Sequence, residues 1–164
     1  MTRAAALSLH ELSYLCGGPR RAVLTAVLAL CQSEQLEIGA DGRAHRLDEV
    51  GWGDALEQAV LDVVPSAGLE LESIVDAVAE SKAMRATRGM LAARGLALRW
   101  FPGLTGAGRR ARHEVLTNPP EGLRRIAVLG AEAIQDAQLR RTLTDPTYRQ
   151  RLTLTPCQTV ELTP

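Results

Sequence analysis

The sequence predicts a mostly helical α+β fold with small β-hairpins, arranged as tandem winged-helix-like units that share a core. Three observations favour it. Apolar residues recur at helical spacing over most of the chain. Only five of the 164 residues are aromatic, so the core must be built from Ala, Leu and Val, as in packed helices. Two short stretches alternate apolar and polar residues beside turn signals.

The first helix is predicted over residues 9–16, because Ser8 and Glu11 stand in capping-box register. Gly17-Gly18 is a helix-stop signal, and Pro19 suits the first position of a new helix, where its missing N–H costs nothing. The apolar period then continues, so a second helix is predicted to run to about Glu34. The sequence therefore predicts two helices joined at Gly17-Gly18.

A β-hairpin is predicted over residues 35–47. Leu36 and Ile38 alternate with polar residues, and Asp41-Gly42 is a turn signal. Ala44 and Leu47 give a weaker return strand. Helix, turn, helix and hairpin together outline the first winged-helix-like unit, residues 1–50.

The second unit is predicted over residues 51–145 and repeats this order of elements. Helices are expected over 54–64, 69–80 and 82–94, followed by a strand in GLALRWFPG that enters a turn at Pro102-Gly103. Further helices are expected over 109–116, 121–133 and 136–143. The stretches VLALCQSEQLEI and GMLAARGLAL align loosely, which indicates an internal duplication. Residues 146–164 are left as a tail.

Bulk properties restrict the class of function. The formal charge is zero and the pI is near 6.8, unlike the strongly basic balance of a dedicated nucleic-acid binder. No apolar run reaches the ~18 residues of a membrane span, and the N-terminus is too short and too soon charged for a signal peptide. Three cysteines without CxxC spacing argue against a disulfide framework. We therefore expect a cytoplasmic protein without a transmembrane span.

Catalytic and metal-binding signatures are missing from the sequence. His10, His45 and His113 fall on separate predicted elements, and neither HExxH nor GxSxG occurs. No Cys/His spacing indicates a metal site, and we expect no cofactor. Cys157, in a Thr-rich tail, is either a modified residue or an incidental surface cysteine. The sequence therefore predicts that the protein is not an enzyme.

The stretch YLCGGPRRA has two interpretations. Backbone N–H groups at a helix start, with Arg20 and Arg21, would suit an anion. A structural joint is favoured instead, because the Lys-Ser/Thr of a phosphate-binding loop is missing and arginines are unfavourable at the positive end of a helix. On either interpretation the joint is a candidate contact for a protein partner, together with the hairpin. These partner-binding candidates are Gly17, Gly18, Arg20, Arg21, Leu36, Ile38 and Arg43.

Charge is distributed unevenly along the chain. Residues 37–80 contain eleven acidic and two basic residues, whereas residues 82–125 contain ten basic and two acidic ones. Helical spacing places part of the basic set on one stripe of the predicted third helix, where it could meet DNA phosphates. The candidate nucleic-acid contacts are Lys82, Arg85, Arg88, Arg99, Arg109, Arg110 and Arg112. The alternative is that the basic half pairs with the acidic half of the same molecule or of a second copy in a homodimer.

The opening LSLHELSYLCGGPRRAVLTAVLAL, with the later GLRRIAVLGAEAIQDAQLRRTL, resembles an uncharacterised family from GC-rich bacteria. Its members typically begin Leu-x-x-x-Glu-Leu-Ala-Tyr-Leu-Ala-Gly-Gly-Pro-x-Arg-Ala-Val. The likeness spans about residues 7–143. Members are often described as membrane proteins with a Gly/Cys-rich end, from which this chain departs because it has no apolar span and one tail cysteine. Some look to be encoded beside multinuclear iron enzymes that modify cysteines of ribosomally made peptides.

Two functions follow as hypotheses. The resemblance implies a partner or recognition subunit of a peptide-modifying enzyme, that is, a non-catalytic protein or peptide interaction module. Small winged-helix domains can bind a peptide by adding it as a strand to the hairpin edge. The alternative is a winged-helix transcriptional regulator that binds DNA through the basic stripe.

Overall fold

A computed structural model describes residues 7–39, 42–47, 53–99 and 103–135, with residues 137, 140 and 141. Within these ranges the chain forms six α-helices and three short strands, so the predicted mostly helical α+β class is confirmed. In chain order the elements are α1 (Leu9–Gln32), β1 (Leu36–Ile38), β2 (Arg43–Arg46), α2 (Ala55–Val63), β3 (Leu69–Glu70), α3 (Leu71–Ala79), α4 (Lys82–Ala93), α5 (Gly106–Thr117) and α6 (Leu123–Leu129), followed by a 3-10 turn (Ala131–Ala133).

The long helix α1 begins and breaks where the sequence indicates. The Ser8 hydroxyl accepts from the Glu11 N–H, and the Glu11 carboxylate accepts from the Ser8 N–H at 2.8 Å, which completes the predicted capping box. Gly18, with φ 73° and ψ −166°, interrupts the helix just before Pro19. Because Pro19 has no N–H to donate into the preceding turn, the chain kinks here without losing a donor. The two predicted helices are therefore the two segments of one kinked helix.

The three strands form one antiparallel sheet in the order β1-β2-β3. The predicted hairpin is confirmed, with Leu36 opposite Arg46 and Ile38 opposite Ala44. The third strand was not predicted: Leu69 and Glu70, expected to begin a helix, pair with β2 instead, and α3 starts at Leu71. Strand β3 therefore joins the second predicted unit to the hairpin of the first in a single sheet.

Two apolar clusters make up the core, and α1 contributes to both. The C-terminal segment of α1 packs with the sheet, α2 and α3, and its residues Ala22, Val23, Ala26, Val27 and Leu30 have no exposed surface. The N-terminal segment of α1 packs with the end of α4, α5 and α6 through residues that include Leu12, Leu15 and Leu91. The kink at Gly18 thus directs one helix into two different environments.

The remaining predicted elements are confirmed only in part. The strand predicted in GLALRWFPG is reduced to an isolated bridge between Ala97 and Leu104, and residues 100–102 lie outside the described residues. The predicted helix over 121–133 is α6 followed by a 3-10 turn. Most of the helix predicted over 136–143, and the whole tail with Cys157, also lie outside the described residues. None of the helices described has the length and apolar character needed to cross a membrane.

Candidate functional site

The glycine-rich joint is arranged around the side chain of Arg21. Its guanidinium donates to the Val128 carbonyl at 2.6 Å, near the C-terminus of α6. Gly17 and Gly130 leave room for it, since a Cβ at Gly17 would overlap the Arg21 side chain and one at Gly130 would lie 3.0 Å from it. A cation at a helix C-terminus is favourable because the carbonyl ends there are negative. These contacts explain why a glycine and an arginine occur four positions apart in this stretch.

Arg20 has a different partner. Its guanidinium forms a two-pronged ion pair with the Glu72 carboxylate, at 2.6 and 2.7 Å, and so links α1 to α3. About half of the Arg20 side chain is exposed. Both arginines of the predicted joint therefore make intramolecular contacts.

An apolar groove runs beside the joint, between α1 and α6. A cavity of about 310 Å³ at the joint is lined by Gly17, Arg20 and Arg21, and it continues into a second of about 490 Å³ toward the end of α1. The two cavities share Leu28, Ile126 and Ile134 as walls. None of the hairpin candidates lines this groove, so the structure does not bring the two predicted contact regions into one pocket.

Strand β1 lies at the edge of the sheet. The Leu47 N–H donates to the Gln35 carbonyl at 3.0 Å, and the Gly39 N–H donates to the Arg43 carbonyl at 2.8 Å. Hydrogen-bonded pairs alternate with non-hydrogen-bonded pairs in an antiparallel ladder. The main-chain groups of Leu36 and Ile38 must therefore point away from β2, and no strand among the described residues pairs with that side.

The side chains of β1 differ between the faces of the sheet. Leu36 is buried and Ile38 half-buried, whereas Glu37 is exposed between them. Arg43, the remaining hairpin candidate, donates to the Gly68 carbonyl at 3.0 Å, on the β3 side of the sheet. Its contact stabilises the loop before β3 and is remote in the sheet order from the outer edge of β1.

Part of the predicted basic stripe surrounds one surface depression. Arg85 and Arg88 of α4 and Arg99 of the following loop line a cavity of about 490 Å³. Gly89 lies at its wall, where a Cβ would meet no atom within 4 Å. Lys82, Arg85 and Arg88 follow one another at three-residue spacing along α4, and Lys82 and Arg85 are exposed. The structure therefore brings three of the predicted nucleic-acid contacts together.

The basic residues of α5 line a separate surface. Arg109 and Arg110 flank a shallow depression with His113, and it shares no wall residue with the one on α4. Arg109 also donates to the Leu104 carbonyl at 3.1 Å. Arg112, the last member of the predicted set, is exposed on the same helix.

A cluster that the sequence did not reveal joins α1 to α2. The His10 Nε2 atom lies 2.9 Å from Asp54 Oδ2 and 3.1 Å from Glu57 Oε1. Asp54 is the N-cap of α2 and Glu57 closes its capping box, so each carboxylate uses its other oxygen in the cap. His10 is 2% exposed. His10 and Asp54 are 44 positions apart, which is why no spacing motif could have indicated the cluster.

Electrostatics favours the charged form of His10. Burial alone would lower its pKa, but hydrogen bonds and the charges of Asp54 and Glu57 outweigh burial and raise the pKa to about 9. For Asp54, burial acts to raise the pKa, yet the contact with His10 and the cap N–H bonds leave the pKa lowered. The cluster is therefore a buried cation shared by two carboxylates.

The next residue of α1 is also a buried charge. Glu11 is 1% exposed, and its Oε1 lies 3.2 Å from Arg94 Nε, although without hydrogen-bond geometry. Arg94 follows the end of α4. The contact therefore ties the start of α1 to the end of α4.

Both described cysteines are free thiols. Burial raises the pKa of Cys16, although the charges of Arg21 and Arg112 act in the opposite direction. Burial and the nearby Glu37 raise the pKa of Cys31 to about 11. Neither thiol is activated as a nucleophile, because the thiolate is the reactive form.

Comparison with protein-family models, with curated proteins and with solved structures finds no match for this chain.

Proposed function

We propose that the protein is a non-catalytic interaction module that binds an extended segment of a partner protein by adding it as a strand to β1. One observation carries the proposal: Leu36 and Ile38 direct their main-chain groups away from β2 at the edge of the sheet. Edge strands offer unpaired donors and acceptors that template another chain. Tandem winged-helix-like units remain part of this proposal, since α2, β3, α3, α4 and the bridge at Ala97 follow one another in the order of such a unit.

The chemistry of β1 defines the partner segment. Leu36 and Ile38 face the core side of the sheet and Glu37 faces outward, so a complementary strand has apolar residues on one face and a basic residue on the other. Three residues of strand offer only a few hydrogen bonds, each contributing about 0.5–1.5 kcal/mol net. Four such bonds would contribute about 2–6 kcal/mol, so we expect weak binding, close to millimolar, with fast exchange. The leader of a ribosomally made peptide, which the family resemblance implies, is one segment of this kind.

Selection from a random peptide library on the immobilised full chain tests the proposal. Enriched sequences should alternate apolar residues with Lys or Arg. Ile38→Pro should abolish their binding, because it removes the outward N–H while leaving the ladder to β2 complete, and proline is tolerated at such edge positions. Ile38→Val should bind like the wild type.

Charge reversal supplies the matched control. Glu37→Lys should shift the enriched sequences from basic to acidic residues at the facing position. Glu70→Lys on β3, at the opposite edge of the sheet, should not. Enrichment that is indifferent to Ile38→Pro and to Glu37→Lys would reject strand addition at β1.

A second candidate function is DNA binding through α4, favoured by the depression that Arg85, Arg88 and Arg99 surround. If α4 is the recognition helix of a winged-helix unit, Lys82 and Arg85 would contact phosphates along one edge of the DNA major groove. A chain of zero net charge would bind through this local surface alone.

Fluorescence anisotropy with a labelled duplex at several salt concentrations separates the two functions. DNA binding predicts that Arg85→Ala weakens the complex and lowers the salt slope by about one unit. Arg125→Ala, which removes an exposed arginine of α6 outside the predicted nucleic-acid contacts, is the control. No binding by the wild type at low salt would reject this candidate.

A further inference from the structure

We propose that His10, Asp54 and Glu57 form a binding site for one divalent transition-metal ion, which ties the start of α1 to the start of α2. This inference is independent of the proposed function. The three ligand atoms all lie within 4.8 Å of one another and come from two different elements.

Both carboxylates of the cluster contact the same nitrogen atom of His10. A ring N–H points in a single direction, yet two carboxylate oxygens lie at nearly equal distances, 2.9 and 3.1 Å, from the same Nε2 atom. A metal ion placed among the three atoms would bond to all of them, in place of the single Nε2 proton that the two carboxylates otherwise share. With metal–ligand bonds of about 2.1 Å at right angles, neighbouring octahedral ligands lie ~3.0 Å apart.

The two carboxylate ligands are held in place by the helix cap before an ion binds. Asp54 Oδ1 accepts from the N–H groups of Leu56 and Glu57, and Glu57 Oε2 accepts from the Asp54 N–H. The cap thus fixes each carboxylate and leaves one oxygen of each facing His10. Outer contacts that orient carboxylate ligands in this way are typical of metal sites, whereas the buried Nδ1 atom of His10 has no such partner.

The exposure of the three side chains and their ligand atoms determine which ions can reach and fit the site. The His10 side chain is 3% exposed, whereas those of Glu57 and Asp54 are 19% and 49% exposed, so the site is closed on the protein side and open to water on the other. Water can fill the remaining coordination positions. One imidazole and two carboxylates suit Mn²⁺, Fe²⁺ or Zn²⁺ better than Mg²⁺ or Cu⁺. We assign the ion a structural role, because its ligands come from the first turn of α1 and from the capping box of α2 and so would hold the two helix starts together.

Calorimetric titration of chelator-treated full-length protein with MnCl₂ and with ZnCl₂ tests the site. We expect one ion per chain and a rise in the unfolding temperature with ion concentration. Asp54→Asn and Glu57→Gln each remove a charged ligand and should weaken binding by more than the ~10–100-fold that loss of an outer-shell partner costs. Both variants keep the cap, since Asn is as good an N-cap as Asp and Gln can replace Glu in a capping box.

Two controls address binding elsewhere. Asp62→Asn changes an exposed carboxylate of the same helix, and His113→Ala removes an exposed histidine of α5. Neither should change the affinity. The proposal is overturned if neither ion binds more tightly than about 1 mM, or if the two controls weaken binding as much as Asp54→Asn and Glu57→Gln. Circular dichroism of each variant confirms that loss of binding is not loss of fold.

Discussion

The two segments of α1 are stabilised by different kinds of contact, although they are parts of one helix. The segment after the kink buries Ala22, Val23, Ala26, Val27 and Leu30 completely, in contacts between hydrocarbon groups. The segment before it buries the charged groups of His10 and Glu11 beside Leu12 and Leu15. Arg20 and Arg21 also lie after the kink but keep part of their surface exposed, so every buried ionisable side chain of α1 lies before it. The difference shows that a helical period alone does not tell which force holds a helix in place.

The largest effect should come from a cavity in the second segment. Leu30→Ala should lower the free energy of unfolding by about 2–5 kcal/mol, because Leu30 is fully enclosed and its neighbours cannot close the gap. Leu116→Ala, on the surface of α5, should cost less than ~0.5 kcal/mol. Urea unfolding measures both. Equal losses would show that the apolar cluster around α1 is not packed as described.

The contribution of the first segment to the free energy of unfolding should depend on pH, whereas that of the second segment should not. The folded pKa of His10, about 9, lies above its ordinary value of 6.5, so its contribution is complete below pH 6.5 and is lost as pH rises through 9. The pKa of Asp54 is lowered, so its contribution is present above its ordinary value and is lost as pH falls through the folded value.

Unfolding in urea with EDTA at pH 6, 8 and 10 measures this effect. The wild type should lose up to about 3 kcal/mol relative to His10→Gln between pH 6 and 10. Leu30→Ala should follow the wild-type pH dependence. A difference between wild type and His10→Gln that stays constant with pH would contradict a charged His10.

The two arginines of the joint should differ in their contributions. Arg21→Ala removes a half-buried guanidinium from the end of α6 and should cost about 1–3 kcal/mol, as for hydrogen bonds to charged groups. Arg20→Ala removes a surface ion pair with Glu72, which contributes about 0–1 kcal/mol. Thermal unfolding of the two variants ranks them. If Arg20→Ala were the more harmful change, the joint would be held by α3 and not by α6.

The smallest effect is one of reactivity and concerns Cys31, at the end of the second segment. With a pKa of about 11 in place of 9.0, its thiolate fraction at pH 8 is about 100-fold below that of an ordinary thiol. Alkylation by iodoacetamide, followed by peptide mass spectrometry, should be slower by that factor. Glu37→Gln should speed it, since Glu37 contributes to the shift. Alkylation at the rate of an unfolded control would show that Cys31 is not enclosed.

Local features of this fold could be predicted from the sequence, because neighbouring residues determine them. The Ser8–Glu11 capping box, the break at Gly18 and the hairpin around Gly42 each depend on a few adjacent residues. Strand β3 could not be predicted, since two residues that lead directly into a helix have no period of their own. Its pairing partner lies in another part of the chain.

The candidate sites divide in the same way. The strand positions of Leu36 and Ile38 could be predicted because strand alternation is local. The hydrogen bond of Arg21 to Val128 could not be predicted, because the two residues are 107 positions apart. The cluster of His10 with Asp54 and Glu57 was missed because each residue also fits a local interpretation, a helix-face histidine or a helix cap. The internal duplication, the homodimer and a modification of Cys157 stay predictions.

Amide hydrogen exchange, read residue by residue with and without a library-selected peptide, tests the central claim most directly. Strand addition predicts that the Leu36 and Ile38 amides exchange rapidly in the free protein and at least tenfold more slowly in the complex, while amides on β3 are unchanged. Protection confined to α4, with β1 still exchanging rapidly, would contradict it.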